Sequence, residues 1–173
     1  MMSTWIALLR GINVGGKHIV PMKEFRSLLE TNGFTNVKTY IQSGNVVLQS
    51  ATKPQDEIGQ LIEQNYGFKP SVFILSQEEL KKAADNNPYQ PDQGKAVHFF
   101  FFEEVPQSVD YELMDALKAP SEEYVLIEKV FYLHAPDGIG RSKLVEKIGK
   151  VFSKATMTAR NLNTINKLLE MTA

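Results

Sequence analysis

One order of elements occurs twice along this chain, and that repetition constrains the fold more than any single motif does. In the first half, Trp5 to Arg10 reads as a short apolar strand, and Gly11-Ile12-Asn13-Val14-Gly15-Gly16-Lys17 follows it as a glycine-rich loop. Pro21 suits the first turn of a helix, Met22, Phe25, Leu28 and Leu29 recur at helical spacing, and Asn32-Gly33 supplies a left-handed stop. Lys38 to Ile41 and Val46 to Leu48 then read as strands joined through the hairpin signal Ser43-Gly44-Asn45. Pro54 opens a second helix with Ile58, Leu61 and Ile62 on one face, Gly67 ends it, and Ser71 to Leu75 is a fourth strand. The sum is βαββαβ, the ferredoxin-like order.

The second half begins the series again. Ser76-Gln77-Glu78-Glu79 is a capping box that starts a connecting helix through about Asp85, and residues 86–94 form a loop. Val97 to Phe102 is a strand, Ser108 caps a helix carrying Leu113, Met114 and Leu117, and Tyr124 to Ile127 with Val130 to Leu133 forms a strand pair. One helix follows, with Leu144, Val145, Ile148, Val151 and Phe152 at 3.6-residue spacing. A last helix, starting near Asn161 with Leu162, Ile165, Leu168 and Leu169 as its stripe, is expected in place of an eighth strand. The fold class is therefore α+β: two ferredoxin-like βαββα subdomains plus a C-terminal helix. The divisions are residues 1–75, a connecting helix and loop over 76–95, and residues 96–173. Phe99-Phe100-Phe101-Phe102 sends alternate rings to opposite faces of its sheet, so both faces are expected to be covered.

Composition narrows the setting. With 43% apolar and 23% charged residues the chain has a globular profile, and 173 residues bury a core without staples. It has no cysteine, which excludes thiol nucleophiles, disulfides and thiolate metal sites. The N-terminal apolar run lacks a preceding basic region and reads as a strand, and no stretch is long enough for a membrane span. Cytoplasmic location is the resulting expectation. Charge is unevenly placed: residues 1–75 carry net +2, residues 76–128 net −8 and residues 141–173 net +5. Such asymmetry suits an anion-binding face or two faces of opposite sign that attract each other.

Residues 11–17 match the spacing G-x-x-x-x-G-K after a strand, where small residues let backbone N–H groups converge on an oxyanion. His18 stands where a Mg²⁺-ligating hydroxyl belongs and Pro21 delays the helix, which argues against nucleotide triphosphatase chemistry and leaves a metal-free anion site or a plain glycine turn. Ser43 lacks the flanking glycines of a nucleophile elbow. Asn161 is placed to cap the last helix, with Arg160 just before it. His18, His98 and His134 have no ligand spacing, so no metal is expected. A ferredoxin-like half also invites comparison with RNA-binding sheets, but Val46-Val47-Leu48 lacks their basic and aromatic signature, which argues against nucleic acid.

Taken together, Ala7 to Lys17, Tyr40 to Val46 and Thr158 to Asn161 resemble the bacterial family called domain of unknown function 1697, over nearly the entire chain. The resemblance implies a cytosolic α+β protein with two related subdomains and no assigned activity. Leu162 departs from the aromatic residue the family usually carries there. The candidate ligand-binding set is Arg10, Gly11, Asn13, Gly15, Gly16, Lys17, Ser43, Asn45, Arg160 and Asn161. Lys17 and Arg160 are assigned charge recognition, the glycines backbone donors, and Asn13 and Asn45 orientation of a small anionic or phosphate-containing ligand. The sequence names no cofactor and no reaction. The rival expectation is a protein-interaction module, self-associating into a homo-oligomer through the sheet face of the four phenylalanines.

Overall fold

The computed structural model describes residues 1–41, 44–54 and 56–173, which hold two four-stranded antiparallel sheets and seven α-helices. They cluster into two compact units, Met1–Lys82 with Lys167–Ala173, and Ala83–Asn166.

The first unit contains β1 (Ser3–Leu9), α1 (Met22–Thr31), β2 (Thr35–Tyr40), β3 (Asn45–Ser50), α2 (Glu57–Tyr66) and β4 (Val72–Ser76), with sheet order β2-β3-β1-β4. The central strands are apolar on both faces, as their sequences require. Ala7 and Leu9 of β1 and Val46 and Leu48 of β3 pack with Phe25 and Leu29 of α1 and Ile58 and Ile62 of α2. Ile6 and Leu8, alternating to the opposite face, are also fully buried. The helix stops read from sequence hold: Gly33 and Gly67 have φ of 97° and 83°, conformations that cost a side chain but not glycine. The capping box at the start of α3 (Gln77–Asp85) is reciprocal, with Glu79 N donating to Ser76 Oγ at 3.0 Å and Ser76 N donating to Glu79 Oε1 at 2.9 Å.

The second unit repeats the plan with β5 (Val97–Phe102), α4 (Tyr111–Leu117), β6 (Glu123–Ile127), β7 (Val130–His134), the single-turn helices α5 (Lys143–Glu146) and α6 (Ile148–Val151), and β8 (Met157–Asn161). Its sheet order, β6-β7-β5-β8, reproduces that of the first. All four phenylalanines of β5 are buried. Phe100 and Phe102 join Met114, Phe131, Leu144 and Phe152 in the core beneath the helices, while Phe99, on the other face, meets the edge of Tyr132 at 4.7 Å between centroids.

Four expectations require correction. Residues 157–161 form an eighth strand on β5, with Arg160 opposite Phe99 and Asn161 opposite His98, so the second unit is a complete βαββαβ; α7 (Leu162–Thr172) follows it rather than replacing it. Met157 faces the helix-side core and Thr158 does not, a strand alternation that adjacency to a helix cap obscured. The α4 cap is Asp110, whose Oδ1 accepts from Leu113 N at 3.0 Å, and not Ser108. The helix expected over 144–152 is broken at Lys147 into α5 and α6. Similarly, α2 begins at Glu57, three residues after Pro54. No helix among the described residues is long and apolar enough to cross a membrane.

Candidate functional site

At the C-terminal end of β1 the sequence-derived loop closes on itself. Gly15 and Gly16 both have positive φ, 59° and 72°, and Lys17 N donates to Val14 O at 3.1 Å, so residues 14–17 form a two-residue reverse turn. Asn13 clamps its base: Nδ2 donates to Val20 O at 2.9 Å and Oδ1 accepts from Val20 N at 2.7 Å. His18 stacks on Phe68 with ring centroids 4.4 Å apart. The result is a braced projection with Gly15 and Gly16 at its tip and Lys17 beside them, with α1 beginning five residues after Lys17, instead of a loop feeding directly into a helix N-terminus. The orienting role expected of Asn13 is thus exercised on the protein's own backbone.

Two further connections reach the same end of the sheet. Leu9 N donates to Gly44 O at 2.8 Å, and Arg10 N donates to Ser71 O at 3.0 Å. Gly44 and Asn45 therefore sit beside the base of the glycine loop; Asn45 is fully buried at the start of β3, with Nδ2 donating to Tyr40 O at 3.2 Å. Ser43 lies outside the described residues. Across the three connections, residues 10–21, 41–44 and 67–71, the chain places Arg10, Lys17, His18 and Lys69 and not one carboxylate. Lys69 escaped the sequence reading; the signal for it was a basic residue just before a strand that pairs with β1.

Arg160 and Asn161 belong to the second unit. Arg160 is only 8% exposed, and its Nη1 donates to Thr158 Oγ1 and to Ala159 O, each at 2.8 Å. Burial pulls its pKa down to about 10, still far above neutrality, so the guanidinium stays charged. Asn161 caps α7, its Oδ1 accepting from Thr164 N at 3.0 Å, as its position before the helical stripe predicts.

The second unit also contains a cavity of about 810 Å³ at the end of its sheet where β5 starts and β8 finishes. His98 and Asn161, directly opposed in register, line it together with Lys95, Asp137 and Ile139. His98 is 9% exposed, and among the described residues its Nδ1 is the buried side-chain polar atom without a hydrogen-bond partner. Burial lowers its pKa below the ordinary imidazole value, so the ring is neutral at neutral pH. Sequence reasoning passed over His98 because its neighbour is 63 residues away in the chain. Among the described residues no group of three or more His, Asp or Glu is placed to hold a metal ion.

A pH dependence follows. The unfolded imidazole takes up a proton near pH 6.5 while the folded one resists it, so stability is full above that value and falls as pH drops through the folded pKa. Urea denaturation between neutral pH and about pH 5 is expected to show this fall, reduced in His98→Phe. An equal fall in both proteins would assign the effect to other groups.

The model of a family described as a protein of unknown function (DUF1697) matches residues 2–132. No curated protein matches the chain. Among solved structures, the conserved bacterial protein SP0830 from Streptococcus pneumoniae is similar over 100% of both chains, with 26% sequence identity and a TM-score of 0.73.

Proposed function

The chain belongs to the family of proteins of unknown function DUF1697, and from that premise we propose that it binds a small anionic, phosphate-bearing ligand at the end of its first sheet. The observation that carries this reading is the convergence of three connections bearing Arg10, Lys17, His18 and Lys69 with no carboxylate among them. A braced loop is the appropriate support: the Asn13–Val20 clamp and the His18–Phe68 stack hold the backbone, so little ordering cost is added when a ligand arrives. Gly15 and Gly16 keep the tip free of side chains, which lets an oxyanion approach backbone N–H groups.

Calorimetric titration with inorganic pyrophosphate at low ionic strength tests the proposal. Saturable binding is expected, weakened roughly tenfold or more in the Arg10→Ala/Lys17→Ala double variant and by added salt. Equal affinity in wild type and double variant would place the anion elsewhere.

A second reading, a protein-interaction surface, is favoured by the apolar side chains Val14, Ile19 and Ile41 at the same end, which are 65%, 53% and 52% exposed. The four phenylalanines do not support it, since all are buried within the chain. Light scattering across concentration would detect a homo-oligomer formed through this end, and Ile19→Asp would return it to monomer.

A further inference from the structure

We propose that the cavity of the second unit is a binding site for a neutral nucleoside, with one edge of the base seated against His98 and Asn161. This goes beyond the anion site, uses none of the residues at the end of the first sheet, and stands or falls separately. The cavity volume of about 810 Å³ lies in the range of small-molecule sites and exceeds what an inorganic ion or a free amino acid fills. Its floor offers hydrogen bonding without charge. His98 and Asn161 are register partners in adjacent strands, so their side chains emerge side by side on one face.

Each of the two has capacity to spare. The His98 Nδ1 lacks a partner although the residue is nine-tenths buried, and buried polar atoms in native proteins are satisfied by protein, water or ligand. Asn161 gives its Oδ1 to the α7 cap and keeps the two N–H donors of Nδ2. A base edge, which alternates acceptors and donors in one plane, complements this pair; an ionised group placed there would be desolvated against a neutral ring without a counter-charge.

The rest of the lining fits the remainder of a nucleoside. Pro136 and Ile139 provide apolar surface for the faces of a base. At the rim, the Asp137 carboxylate is already oriented by the Ser121 hydroxyl, which donates to it at 2.6 Å, and a fixed carboxylate is an acceptor suited to sugar hydroxyls. Asp92 adds a second negative charge at the rim against the single positive charge of Lys95. That excess opposes a phosphate and selects the nucleoside over the nucleotide.

The test is NMR of the ¹⁵N-labelled full chain, following the His98 ring nitrogens while adenosine, guanosine, cytidine and uridine are each added to millimolar concentration, with AMP as the charged counterpart. At least one nucleoside is expected to shift His98 saturably, and AMP to bind roughly tenfold or more weakly if the bound base is adenine. Asn161→Asp retains an acceptor for Thr164 N, and so the helix cap, but removes the amide donors; affinity should fall roughly tenfold or more with the fold intact. His98→Phe, which discards the unpaired nitrogen, should also fold and lose saturable binding, read from the backbone amide signals of Ala96, Asp137 and Ile139 in the cavity lining. Silence of His98 toward all four nucleosides would overturn the proposal. So would undiminished binding in both variants, or AMP binding as tightly as adenosine.

Discussion

Alanine at position 44 is expected to lower the unfolding free energy by about 3 kcal/mol, read as a shift in the urea midpoint at unchanged slope. Two costs add at this position. Gly44 has φ of 90°, a region that a β-carbon strains. An added Cβ would also stand 2.9 Å from Leu9 Cβ and 3.0 Å from the Leu9 carbonyl oxygen, inside the hydrogen-bonded approach of this turn to the end of β1. Leu9 is fully buried and belongs to the core beneath the helices, so it has no room to retreat. Gly15→Ala is the internal control: its φ is 59°, yet an added Cβ meets nothing within 4 Å, so only the backbone cost of about 1 kcal/mol applies. Equal losses in the two variants would mean that the close approach at Leu9 contributes nothing.

Gly44 also shows where a sequence stops informing. That a turn lies near residue 44 is legible from Ser43-Gly44-Asn45, because turn chemistry is local. That the glycine is required by Leu9 is not legible, because the contact spans 35 residues and depends on sheet register. The same division runs through the whole chain. Amphipathic periodicity places α1 and α7, glycines place the ends of α1 and α2, and the capping box marks α3, all from within a few residues. The eighth strand is not legible, because residues 157–161 are a short edge whose pattern becomes visible only against β5. The break at Lys147 is not legible, because the apolar spacing continues through it while the helical backbone does not.

The candidate sites divide in the same way. Lys17 and its glycines were legible because a loop after a strand is read locally. That three connections without a carboxylate reach one end of the sheet is not local: it follows from the antiparallel pairing of β1 with β3 and with β4. His98 has no ligand spacing in the sequence, yet what distinguishes it is a burial and a missing partner that only the assembled sheet creates. The cap role of Asn161 is legible from its place before an apolar stripe, while its position opposite His98 depends on a strand pairing that is not local.

The second large effect is expected at Phe131, in the sheet that carries His98 and Asn161. Its ring is fully buried and lies 5.1 Å from that of Phe152 in an edge-to-face arrangement, and 5.8 Å from each of Phe100 and Tyr124. Phe131→Ala removes a large apolar side chain and three ring partners at once. Fixed strands leave the vacated space little chance to collapse, so a loss of about 4 kcal/mol is expected in urea denaturation. Phe131→Leu keeps most of the volume and discards only the aromatic geometry, so its loss should be about 1–2 kcal/mol. The difference between the two variants measures how far the core beneath α4, α5 and α6 is held by filled volume and how far by ring orientation. Near-equal losses would assign the stabilisation to the aromatic contacts. A negligible loss in Phe131→Ala would mean that this core is loosely packed, and a loosely packed core could not hold His98 and Asn161 side by side at the cavity floor.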